Sequence, residues 1–160
     1  MSLPSRRLFL LAPLALAACG FRPVYGPGGN GTALQNNVLV DAPNDRNSYL
    51  LTRTLEERLG RSATPSYALA LTVLTLEDGL ATDTFGNTQR FDILGTVDYA
   101  LRDVASGRIV TSGQVENFTG YSTTGTTVAT LASQQDAQVR LMTILADQIV
   151  TRLYAADLSA

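Results

Sequence analysis

Histidine, tryptophan and lysine are absent from the 160 residues, and cysteine occurs once, at Cys19. Without histidine the most frequent general base and the most frequent zinc ligand are both missing. One cysteine can form no internal disulfide. A Walker-type phosphate loop needs a lysine, so that chemistry is excluded too. Paired carboxylates fare no better. Glu56 and Glu57 are helix neighbours that diverge by about 100°, and Asp92 and Asp98 share a strand face about 20 Å apart. No enzymatic activity is expected. Only 16% of the chain is charged, below the usual quarter, and Thr, Ser, Asn and Gln supply most of the polar side chains.

What is present begins with an export signal. Arg6 and Arg7 form a short positive region ahead of the apolar run Leu8 to Ala18, 11 residues interrupted only by Pro13. A membrane-spanning helix needs about 20 apolar residues, so this run reads as a cleaved signal over residues 1–18. Leu16-Ala17-Ala18-Cys19 reads as a lipobox. Its small residues admit the peptidase, and the Cys19 thiol takes a diacylglyceryl group, a covalent lipid and the only non-protein group expected. Ser5-Arg6-Arg7-Leu8-Phe9-Leu10 resembles a twin-arginine signal, but two arginines serve the general secretory route equally well, and both routes stay open.

The 142 residues from Cys19 onward suffice for one domain that buries about two-thirds of its unfolded surface. Ten arginines face 14 acids there, a formal side-chain charge of −4, which argues against nucleic-acid binding. Gly26-Pro27-Gly28-Gly29-Asn30-Gly31 matches G-x-G-x-x-G in letters only. A dinucleotide fingerprint follows a strand and opens a helix, whereas this run contains a proline and follows a lipobox. Residues 19–36 are expected to be a lipidated N-terminus and flexible tether, with a domain over 37–158.

Within that domain Val38-Leu39-Val40 is a short candidate strand. A helix is expected from about Asp45 to Leu59, capped by Asn44 or Asp45, with Leu51, Leu55 and Leu59 on one buried face and Gly60 as the stop. Tyr67 to Leu76 is apolar on both faces, as an interior strand would be. From Arg90 to Arg102, Phe91, Ile93, Val97, Tyr99 and Leu101 point one way and Asp92, Thr96, Asp98 and Arg102 the other, a half-buried antiparallel strand. Arg108 to Thr119 returns as its partner. The link Glu77 to Gln89 reads as a long loop, mobile or occupied by a partner. Thr119 to Thr127 is a second loop. From about Val128 to Ala155 a long helix carries Met142, Leu145, Ile149 and Leu153 at spacings of three and four, with Thr126, Thr127 and Thr130 as possible caps. The expected fold is α+β, order β-α-β-β-β-α: a four-stranded antiparallel or mixed sheet with two helices on the face of the odd-numbered residues.

Cys19-Gly20-Phe21-Arg22-Pro23-Val24-Tyr25-Gly26 resembles the mature start of LPS-assembly lipoproteins of the LptE family, alphaproteobacterial type. Further likeness lies in Thr88-Gln89-Arg90, Tyr99-Ala100-Leu101-Arg102-Asp103, Tyr121, Asp136-Ala137 and Leu145-Ala146-Asp147-Gln148-Ile149, spread over the mature chain. The resemblance implies a lipid-anchored, non-enzymatic protein on the periplasmic face of the outer membrane. It would plug and assist assembly of the β-barrel LptD, which delivers lipopolysaccharide to the cell surface. Gly20, rather than aspartate, fits outer-membrane sorting. Lipopolysaccharide carries phosphates, which arginine grips in pairs of hydrogen bonds. Arg90, beside the long link, is the first candidate contact, with Arg102 and Arg108 flanking the next turn; a solvated strand-end arginine is the more ordinary reading of each. Two other readings stand beside this one: an accessory lipoprotein of another envelope lipid-transport complex, and a periplasmic lipoprotein that binds a small ligand.

Overall fold

A computed structural model of the chain describes residues 24–26, 29–82, 86, 88–123 and 125–158. The export signal and Cys19 lie outside the described residues. Seven elements follow in order: α1 (Asn30–Leu34), β1 (Val38–Val40), α2 (Arg46–Leu59), β2 (Tyr67–Thr82), β3 (Thr88–Asp103), β4 (Ile109–Ser122) and α3 (Thr127–Ala155).

Helix α2 starts and stops where its sequence says. Asp45 accepts from the Ser48 backbone N–H at 2.7 Å, and the Ser48 hydroxyl accepts from the Asp45 N–H at 3.0 Å. Two otherwise unpaired donors are thus satisfied in a reciprocal cap. At its other end Gly60 takes φ +77°, and a Cβ there would lie 2.0 Å from Asn36 Oδ1, so no other residue fits without moving Asn36. Leu51, Leu55 and Leu59 are fully buried.

The sheet has the order β1-β2-β3-β4. β1 runs parallel to β2, with Val38 opposite Tyr67, and α2 forms the crossover. β2, β3 and β4 form an antiparallel meander in which Val97 lies opposite both Val73 and Val115. Both long helices pack on one face. That face presents Ile93, Val97, Tyr99 and Leu101 of β3 and Val115 and Tyr121 of β4, and α3 meets it with Leu141, Met142, Leu145 and Ile149. The α+β class and the odd-numbered buried face are as the sequence predicts. Thr126 is the residue that caps α3, through Ala129 N–H.

Three expectations are corrected. The link Glu77 to Gln89 is mostly strand: β2 continues to Thr82 and β3 begins at Thr88, with irregular pairing around Gly79 and Ala81. Glu, Asp and Gly are poor strand formers alone, but pairing with residues 88–93 carries the ladder through them. β4 likewise runs on to Ser122. The tether does not extend to residue 36. Leu34 of α1 is fully buried, and the Asn30 side-chain amide donates to the carbonyls of Tyr154 and Ala156, closing the C-terminal end of α3. Tyr25 stands edge-to-face on Tyr154, ring centres 5.8 Å apart.

Candidate functional site

The opposite sheet face, built from the even-numbered residues of β2, β3 and β4, is covered by no element among the described residues. Such a face ordinarily alternates to polar side chains. Here one cross-strand row is apolar throughout: Leu76 lies opposite Leu94, and Leu94 opposite Phe118. Strands stand about 4.8 Å apart, so the three side chains form a bar roughly 10 Å long. They are 58%, 41% and 61% exposed, and Leu74 beside them is 58% exposed.

Carboxylates border the bar on both sides. Toward the β2–β3 turn, Asp78 lies opposite Asp92. Toward the other end stand Glu116, opposite Thr96, and Asp98, which accepts from the Gln114 amide at 2.9 Å. Asp92 has one carboxylate oxygen shut off from solvent with no hydrogen-bond partner. Gly120 makes room for it, since a Cβ there would lie 2.7 Å from Asp92 Oδ1.

The three arginines singled out in the sequence do not converge. Arg90 and Arg102 share this face and are exposed, but 12 positions along one strand separate them by about 40 Å. Arg90 belongs to the end with Asp78 and Asp92, opposite Ser122. Arg102 and Arg108 sit together at the far turn. There the backbone N–H of Ser106, then its hydroxyl, hold the Asp103 carboxyl below the usual range, and Arg108 adds to this. One phosphate group can therefore meet Arg90 or the Arg102–Arg108 end, never both.

Behind the Arg90 end, on the helix side, Tyr121 stacks on Phe91 with ring centres 5.5 Å apart. Its hydroxyl donates to Glu77, whose other oxygen accepts from Gln134 of α3 at 2.8 Å. Burial, and then the Glu77 hydrogen bond and charge, push the Tyr121 hydroxyl up to about 12. This network ties the extended β2–β3 hairpin to α3. A groove open to solvent runs beside β4, lined by Gln114, Glu116, Ile144, Gln148 and Thr151.

Sequence reasoning missed the apolar bar. Its signal was present, because Leu94 breaks the polar alternation of β3 and Leu74 and Leu76 fall on the same parity. Those leucines read as an interior strand; β2 is interior in pairing order, yet only one of its faces is covered.

Among the described residues no group of three or more acidic, cysteine or histidine side chains could hold a metal, and no helix is long and apolar enough to cross a membrane. Fold and face together define a small α+β domain with one sheet face that no described element covers. The chain belongs to the LptE lipopolysaccharide-assembly family, whose model matches residues 35–153. It is similar to a Caulobacter crescentus CB15 chain described as a lipoprotein, with 26% identity, TM-score 0.67, and 79% of this chain and 93% of that one covered. Rare lipoprotein B from Shewanella oneidensis shares the fold at 15% identity and TM-score 0.58, with 76% and 94% covered. Lipoprotein B from Nitrosomonas europaea does so at 14% identity and TM-score 0.57, with 85% and 91% covered. No curated protein matches the sequence.

Proposed function

We propose that this lipopolysaccharide-assembly lipoprotein is anchored through a lipid on Cys19 at the periplasmic face of the outer membrane. There it plugs and assists assembly of the β-barrel LptD. The observation that carries the reading is the family match, which covers residues 35–153, from just after α1 to the last turn of α3. The lipobox Leu16-Ala17-Ala18-Cys19 supports the anchor. The open sheet face supports a protein partner over a lone small-ligand function, because a finished soluble domain rarely leaves a contiguous apolar strip uncovered. The protein's role is to bind and position rather than to catalyse, in keeping with a chain that has no histidine and no lysine. Lipopolysaccharide phosphates would meet Arg90 at one end of the open face, with Arg102 and Arg108 a separate second contact.

Affinity purification of tagged full-length protein from detergent-solubilised outer membranes tests the reading. A stoichiometric large β-barrel is expected, and depletion of the protein should deplete surface lipopolysaccharide. An intact, membrane-bound bait that brings no barrel would move the assignment to another envelope lipid-transport complex. Lipopolysaccharide binding by the purified soluble domain, unchanged by Arg90→Ala, would remove Arg90 as a contact.

A further inference from the structure

We infer that the open sheet face is the surface on which the barrel partner docks, through a strip of that partner carrying apolar side chains bordered by arginine or lysine. This rests on the barrel reading above and adds to it the face used and the chemistry opposite. Three observations converge on it. Leu76, Leu94 and Phe118 share one row on adjacent strands, with Leu74 alongside, all solvent-exposed. Scattered apolar residues are ordinary on a surface, but a contiguous bar in register is not.

The bar is also framed by charge of one sign. Asp78 and Asp92 lie one row away on one side; Glu116 and Asp98 lie one and two rows away on the other. Among the described strand residues Arg90 is the cation of this end of the face, with Arg140 of α3 reaching its edge to donate to the Gly120 carbonyl at 3.3 Å, and Arg102 lies about 27 Å beyond the bar. Finally, Asp78 and Asp92 face each other directly, an arrangement that costs stability in the free protein, and Asp92 Oδ1 is buried without a partner. A cationic side chain brought in by a docking strip would relieve the repulsion while the bar is covered.

The same charge pattern selects the occupant. A lipid with phosphorylated head groups would carry negative charge toward four carboxylates. An apolar strip edged with cations meets complementary charge on both sides, which favours the encounter and fixes its register. Lipopolysaccharide contact is then confined to the arginine ends of the face.

The test uses full-length, lipidated protein in cells. A photoreactive phenylalanine analogue replaces Leu94, Phe118 or, as control, Ser112, an exposed residue on the same face nearer the far turn. The barrel should cross-link from positions 94 and 118 and much less from 112. The double variant Asp78→Arg/Glu116→Arg, at two exposed positions, should lower barrel recovery about tenfold or more, because like charges then face each other across the interface. Phe118→Ser, at the most exposed member of the bar, should lower it as well if the double variant fails to fold. Barrel recovery unchanged in these folded variants, with cross-links arising only elsewhere, would overturn the docking face and leave the barrel reading standing. Cross-linking of lipopolysaccharide in place of the barrel from 94 and 118 would overturn the occupant. Absence of the barrel from unsubstituted protein would instead overturn the reading on which this one rests.

Discussion

Gly95 of β3 and Leu145 of α3 meet so closely that a Cβ on Gly95 would lie 2.9 Å from Leu145 Cδ1, and 3.0 Å from Leu141 Cδ2. The missing side chain lets the long helix settle onto the middle of the sheet at the level of the apolar bar. Gly95→Ala forces two fully buried leucines to shift, and should cost about 1–3 kcal/mol as overpacking. Urea unfolding would measure this. Leu145→Ala in the same chain should recover part of the Gly95→Ala loss, because the two changes share one space. Strict additivity would show that this close approach does not limit packing.

The α2 cap gives a pH-dependent prediction. The Ser48 hydroxyl, and then the Ser48 N–H, lower the Asp45 carboxyl from its ordinary 3.8. A depressed folded value means that this contribution is fully present above 3.8 and is lost as pH falls through the lower folded value. Asp45→Ala should cost about 1 kcal/mol at neutral pH. Asp45→Asn should keep most of the cap, since its amide oxygen still accepts, and should flatten the stability profile below 3.8. Denaturant midpoints across acid pH check both.

At alkaline pH two tyrosines set the response, Tyr121 and Tyr154. Tyr121 is raised to about 12 by burial first and by Glu77 second, and Tyr154 is raised to about 12 by burial and then by its hydrogen bond with Tyr25. A raised tyrosine stabilises the fold below its ordinary value of 10.0 and loses that contribution as pH climbs through 12. Tyrosinate absorbance should show a late phase. Tyr121→Phe should remove part of it, and Glu77→Gln should bring Tyr121 down toward 10.0 without reaching it, because burial remains. A late phase unchanged by both variants would place its origin elsewhere.

These sites show what the sequence could and could not announce. Asp45, Gly60 and the leucines at 51, 55 and 59 act within a few residues of one another, so a local pattern suffices to read them. The odd-numbered face of β3 was legible for the same reason. Residues 77–82 were not. Their strand state comes from pairing with residues 88–93, a partner that propensity does not see. Leu34 was hidden in a glycine-rich stretch, since α1 is placed by packing on α3, about a hundred positions away. The apolar bar exists only once three strands are in register: Leu94 alone is one exposed leucine, and Leu76-Leu94-Phe118 is a surface. The separation of Arg90 from Arg102 could be counted along the strand, but their place beside or apart from the carboxylates could not.

Asp78 and Asp92 offer the prediction that separates folding from docking. Opposed like charges on neighbouring strands destabilise by a few tenths of a kcal/mol up to about 1 kcal/mol. Asp78→Asn should therefore raise the stability of the isolated domain by about 0.5 kcal/mol, and Asp78→Arg should raise it further by pairing with Asp92 across the ladder. Both gains should shrink with added salt, since Asp78 is exposed and screening acts on its charge. Barrel recovery should move in the opposite direction, falling from Asp78 to Asn to Arg as the complementary charge is removed and then reversed. Thermal unfolding of the purified domain and co-purification of the barrel, measured on the same three proteins, decide the matter. Opposed trends mean that the repulsion is kept because a partner needs the charge. Stability and recovery rising together would mean that the pair is only a local cost of the strand register, with no part in docking.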